Sequence, residues 1–146
     1  MLIKVVIFDA QGMTIKGKML SDYLVNKYGI NKDRVNLFFQ NEFLECMRGK
    51  ADLKIELVKL IEGKNLTSDE VLKSFYQEET KRDERFIEII NKLKSNGILC
   101  MFATNHDKYR LEYIKNVLGF GKLFNQIFAS CEVGFLKSEK GFLNLF

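Results

Sequence analysis

The sequence predicts an α/β protein: a parallel sheet with helices on both faces, interrupted after its first strand by a small all-helical insertion. Three observations carry this. The chain opens on a Val/Ile-rich run, residues 2–8, that ends abruptly in Asp9, and β-branched residues in so short a run favour a strand. Two more apolar runs, 98–103 and 127–129, follow downstream with helical spacing between them, which reads as right-handed βαβ units. From about residue 18 to about residue 80 the apolar spacing is helical throughout.

The elements follow in order. The first run is apolar on both faces, the mark of a central parallel strand, and Gln11-Gly12 after Asp9 allows a tight turn. Leu20, Tyr23, Leu24 and Tyr28 then share one helix face, closed by Gly29. Val35, Phe38, Phe39, Phe43 and Leu44 predict a second helix, and Leu53, Leu57, Leu60 and Ile61 a third, ended by Gly63. Thr67 and Glu70 match a capping box that opens a fourth helix bearing Val71, Leu72 and Phe75. Phe86, Ile89, Ile90 and Leu93 mark the next helix, stopped at Asn96-Gly97. The second strand ends in Thr104-Asn105. Leu111, Ile114 and Leu118 line another helix, and the third strand ends at Ser130.

Composition bounds the function. With 146 residues, 47% hydrophobic and 29% charged, the chain suits one domain with a core and a small insertion, and a soluble globular protein. No apolar run approaches the roughly 18 residues of a membrane span, and no signal-peptide pattern opens the chain; the expected location is the cytoplasm. Cys46, Cys100 and Cys131 are an odd number without a close pair. They suit reduced thiols serving as buried fillers better than a disulfide scaffold or a zinc site. The net charge is +4, and basic residues such as Lys81-Arg82 are interleaved with Asp83 and Glu84. That describes solvated helix faces and no nucleic-acid patch. His106 and Arg48 are expected at the surface.

In an open parallel sheet, ligands bind outside the carboxyl ends of the strands. Asp9 and Thr104-Asn105 stand at two such ends, and Lys137 follows the third strand closely enough to swing back. A carboxylate, a hydroxyl, an amide and a lysine meeting in one crevice suit a phosphoryl or other anionic group.

These segments resemble the haloacid dehalogenase-like (HAD) hydrolase superfamily over the whole chain. Phe8-Asp9-Ala10-Gln11-Gly12-Met13 is similar to its first motif, Asp-x-Asp-Gly-Thr/Val. Phe102-Ala103-Thr104-Asn105 is similar to the second, and Gly134-Phe135-Leu136-Lys137-Ser138 to the third, Gly-x-x-Lys-Pro. The resemblance implies a Rossmann-like core from residues 1–16 and 81–146, with residues 17–80 as a helical cap. It implies a phosphatase acting on a small phosphorylated metabolite through an aspartyl-phosphate on Asp9. Thr104, Asn105 and Lys137 would hold the substrate. Mg²⁺ would bind the Asp9 carboxylate and the backbone carbonyl of Gln11.

The sequence departs from the pattern in two places. Gln11 stands where the family has its acid/base Asp, and an amide cannot trade protons at neutral pH. The fourth motif, an apolar strand ending in Asp, is absent by Phe146, so the chain is expected to be truncated or degenerate. Without that strand the first run becomes an open sheet edge, inviting self-association or a partner chain. Two other readings stay open: a non-catalytic relative used for binding or assembly, and a metal-independent dehalogenase-like hydrolase.

Overall fold

The computed structural model describes residues 2–146. The elements before the sheet's second long strand are β1 (Val5–Phe8), β2 (Ile15–Lys16), α1 (Leu20–Tyr28), α2 (Lys32–Gln40), α3 (Glu42–Met47), α4 (Leu53–Leu60), α5 (Ser68–Glu79), β3 (Lys81–Arg82) and α6 (Glu84–Ser95). Those that follow are β4 (Leu99–Thr104), α7 (Lys108–Asn116), α8 (Phe120–Leu123), β5 (Gln126–Ala129), α9 (Ser130–Val133) and α10 (Lys140–Leu143).

The long strands form one parallel sheet in the order β1-β4-β5. The central strand is therefore β4, where Cys100 and Phe102 are fully buried. Among the described residues β1 is an edge strand, with Val5 and Ile7 41% and 45% exposed: this is the open edge expected where no fourth-motif strand is present, and the central place suggested by its two apolar faces is corrected. Apolar composition on both faces says what a strand can bury, and not how many neighbours it has. Helices lie on both sides of the sheet. Ile87 and Ile90 of α6 and Ile114 of α7 join Phe8, Cys100 and Phe102 in one core. The Phe102 ring stacks on Phe124 at 5.0 Å and meets Phe120 edge-on at 5.3 Å. On the other face Phe146, just after α10, packs against Phe128 at 4.8 Å. None of the described helices is long and apolar enough to cross a membrane.

Helices α1–α5 bury a core of their own, centred on Leu24, Val35, Leu53, Leu57, Val71 and Phe75. The Thr67–Glu70 capping box is formed at the start of α5. The single helix expected over Val35–Leu44 is two, α2 and α3, broken at Asn41, whose Nδ2 donates to the Leu37 carbonyl at 2.8 Å. Side-chain spacing hides the break, because Phe39 and Phe43 still stack at 4.3 Å across it.

The chain enters and leaves the helical region through a short antiparallel ribbon of β2 and β3, in which Ile15 faces Arg82 and Lys16 faces Lys81. Gly17 follows at φ +126°, and a Cβ there would lie 1.8 Å from the Glu79 carbonyl oxygen. Beyond the ribbon, side chains fasten the helical region to α7. Asp52 accepts Lys108 Nζ at 2.6 Å and the Tyr109 hydroxyl at 2.7 Å. Tyr76 and Tyr113 stack at 5.3 Å.

Two predictions follow from this junction. Gly17→Ala is expected to cost about 2–3 kcal/mol, since backbone on both sides must shift; urea denaturation reads it. The Lys108 ammonium and the Tyr109 hydroxyl hold the Asp52 carboxyl down to about 2 from its ordinary 3.8, against an opposing effect of burial. A lowered folded-state value means stability fully present above pH 3.8 and lost as pH falls through about 2. Across that window the stability of Asp52→Asn is expected to change less steeply with pH than that of the unsubstituted protein.

Candidate active site

Asp9 leaves the end of β1 with its carboxylate directed into a crevice. Its Oδ1 accepts the Ala10 N–H at 2.7 Å and Lys137 Nζ at 2.6 Å. A tight turn fixes the geometry: the Ile15 N–H donates to the Ala10 carbonyl at 3.0 Å and Gly12 takes φ +77°. Thr14 Oγ1 donates to the Asp9 carbonyl at 2.7 Å. The parallel register on β4 then places Thr104, buried at that strand's end, on the same edge.

Lys137 comes from the loop after α9 and is held from two sides. Its backbone N–H donates to Asn105 Oδ1 at 2.8 Å. One residue earlier, the Leu136 N–H donates to Glu139 Oε2 at 2.6 Å. Glu139 is in turn gripped by Arg48, whose Nη2 lies 2.7 Å from Glu139 Oε1. Arg48 is thus no free surface arginine; it ties the helical region to the lysine loop, and Glu45 holds its Nη1 at 2.6 Å. Asp9, Gln11, Thr104, Asn105 and Lys137 all line one cavity of about 290 Å³.

The Gln11 side chain is engaged at both ends. Nε2 donates to the Gly17 carbonyl at 2.6 Å, and Oε1 accepts Arg110 Nη2 at 3.1 Å. Arg110 escaped the sequence reading, yet it too lines the cavity. It is buried, sits 5.2 Å over the Phe75 ring, and its Nε has no partner among the described residues. Burial pushes its pKa below the ordinary arginine value. A signal was present: Arg110 stands one helical turn before Ile114, a charge on the apolar face of α7.

His106 is buried, at 6% exposure, which corrects its expected surface position. The N-cap of α7 is Asp107, which accepts the Tyr109 and Arg110 N–H groups, so His106 lies before the helix and turns inward. Its backbone N–H donates to Ser130 Oγ at 3.1 Å. Burial, then the charges of Arg110 and Lys137, push the imidazole well below its ordinary pKa and keep it neutral. The three cysteines are free thiols; Cys46 and Cys100 are buried and Cys131 is partly so.

Two cations, Lys137 and Arg110, therefore line a cavity whose one carboxylate is Asp9. That balance suits an anion. It does not suit Mg²⁺, which needs several oxygen ligands in near-octahedral array. Lys137 already sits on Asp9 Oδ1, and no group of three or more His, Cys, Asp or Glu side chains among the described residues could hold a metal.

The cavity's other wall comes from the helical region and the residue that precedes it: Met19, Leu20, Phe39, Phe43 and Met47.

No protein-family model and no curated protein matches the sequence. Solved structures do. A predicted HAD-like family hydrolase from Porphyromonas gingivalis superposes with a TM-score of 0.78 at 20% identity, over 98% of this chain and 74% of that one. An Asp-to-Ala mutant of a HAD family enzyme from Bacteroides thetaiotaomicron, in complex with magnesium and inorganic phosphate, gives 0.74 at 15% identity, over 98% and 76%. The L-2-haloacid dehalogenase from Xanthobacter autotrophicus, with chloropropionic acid covalently bound, gives 0.63 at 14% identity, over 99% and 63%. Backbone likeness at these identities is a statement about architecture: the chain has the fold of the HAD-like hydrolases.

Proposed function

We propose that the protein is a HAD-type hydrolase of the phosphatase kind, acting on a small phosphate ester with Asp9 as nucleophile. The observation that carries this reading is the meeting of Asp9, Thr104 and Lys137 in one cavity, with Lys137 Nζ 2.6 Å from Asp9 Oδ1. The Asp9 and Lys137 side chains are 52% and 31% exposed. Such open pairs are worth about 0–1 kcal/mol. A substrate oxyanion can therefore take over Lys137 at little cost and release an Asp9 oxygen for attack.

In this reading the Asp9 oxygen bonds to phosphorus as the ester P–O bond breaks, and the Thr104 hydroxyl and Lys137 ammonium hold the phosphoryl oxygens. Asn105 keeps the lysine loop in place. Water supplies the leaving group's proton, because the Gln11 amide has none to give. A second water then bonds to phosphorus as the Asp9 O–P bond breaks, releasing inorganic phosphate and freeing Asp9. Missing acid/base assistance lowers the rate about 10²–10⁴-fold. Residues 17–80 act as a cap on a core of residues 1–16 and 81–146. The family likeness would add Mg²⁺, for which only the Asp9 carboxylate and the Gln11 backbone carbonyl stand as candidate ligands here. The described residues do not complete that centre, and no step above runs through it.

The engaged Gln11 amide and the incomplete metal site favour a second reading, a non-catalytic protein that keeps the cavity for binding. A metal-independent, dehalogenase-like attack of Asp9 on carbon uses the same nucleophile and needs no metal ligands. One assay series separates these. With p-nitrophenyl phosphate, whose leaving group needs little protonation, we expect slow turnover that Asp9→Asn reduces to background. Lys137→Met is expected to lower kcat/KM about 10²–10³-fold. A folded protein that binds inorganic phosphate without turnover would establish the binding reading, and halide release from a 2-haloacid in the presence of chelator the dehalogenase one.

The outer edge of β1 has no strand beside it among the described residues, and Val5 and Ile7 are exposed. We propose self-association, or pairing with a partner chain, along this edge. In a sizing experiment the chain is expected to elute above its monomer mass at high concentration, and Ile7→Lys to shift it toward monomer.

A further inference from the structure

The two walls of the Asp9 cavity differ in kind. One carries Asp9, Gln11, Thr104, Asn105, Arg110 and Lys137. The other, Met19, Leu20, Phe39, Phe43 and Met47, offers no side chain that is a strong hydrogen-bond donor or acceptor. Phe39 and Phe43 are only half-buried, so apolar ring surface remains open there, and they stack on each other at 4.3 Å with a 36° tilt. The wall is tied to the rest of the chain at two points. Arg48 follows directly on α3 and clasps Glu139 at the lysine loop, and Asp52 is bonded to Lys108 and Tyr109. The anion-binding and apolar surfaces therefore face each other across about 290 Å³, near the lower end of small-molecule pockets, roughly 300–1,000 Å³.

Resting on the hydrolase reading above, we infer that the ligand class is a small phosphate monoester with a compact aryl or alkyl body, and not a phosphorylated sugar or polyol. The phosphate meets Lys137 and Thr104, and the organic group lies on Phe39 and Phe43. The hydroxyls of a polyol would lose water against this wall and find no side-chain partner there, which weakens binding, by up to about 10²-fold for an added hydroxyl in an apolar pocket. An aryl or alkyl group there loses only apolar contact with water, which favours binding.

Non-hydrolysable phosphonates test this by isothermal titration of the intact chain in the presence of chelator. Phenylphosphonate is expected to bind at least tenfold tighter than inorganic phosphate, and 2-hydroxyethylphosphonate no tighter than inorganic phosphate. In Phe39→Asn the phenyl advantage is expected to fall below threefold, with inorganic phosphate affinity unchanged. Equal or tighter binding of the hydroxyethyl compound would overturn the ligand class and leave the hydrolase reading standing. A full phenyl advantage retained in a folded Phe39→Asn protein would overturn the assignment of the apolar wall. If neither inorganic phosphate nor either phosphonate binds the folded protein, the anion site fails, and this inference falls with it.

Discussion

Parallel pairing of β1 with β4, Val5 on Leu99 through Phe8 on Phe102, is the constraint on which the rest depends. Parallel strands in register end together, so the residues just past their ends share one edge. Asp9 and Thr104 are neighbours for that reason alone, although about two thirds of the chain lies between them. The pairing rests on a well-packed core, with Phe102 wedged between Phe120 and Phe124 and closed by Ile90 and Ile114. A crevice at that edge gains its precision from packing some distance away.

Charge decides what the crevice accepts. Lys137 is presented by a loop fastened through Asn105 and through the Glu139–Arg48 pair, so its ammonium is delivered to Asp9 instead of wandering in solvent. Arg110 adds a second, buried positive group, steadied by Gln11 and by the Phe75 ring. A neutral His106 adds no charge. One carboxylate facing two cations attracts anions and repels a bare divalent cation. Gln11 is a structural tie between the first turn, Gly17 and Arg110.

Much of the architecture was legible because its signals are local. Runs of Val and Ile, the Thr67–Glu70 cap and glycines at helix ends each act within a few residues, and the structure has strands or helix boundaries at these places. The split between α2 and α3 was hidden because Phe39 and Phe43 keep helical spacing across Asn41. The β2–β3 ribbon was hidden because two-residue strands carry no periodicity. Asp9, Thr104 and Asn105 were named from their positions at strand ends, Lys137 from its place after the third strand and Gln11 from the family resemblance, and the fold collects them in one cavity. The inward turn of His106 and the apolar wall were not read, because their contacts join distant segments and leave little local trace; Arg110 left one, a charge on the apolar face of α7, that went unread.

The sequence by itself determined the alternation of strands and helices, the extent of the helical region, and the placing of Asp9 and Thr104 at strand ends. Each of these follows from side-chain periodicity and backbone preference over short stretches. Only the tertiary structure decided that β4 pairs with both β1 and β5, that Arg48 braces the lysine loop, and that Gln11 is held by Arg110. It also decided that a wall without polar side chains faces the charged edge. Those outcomes depend on which surfaces meet after folding, and neighbouring residues along a chain do not encode that.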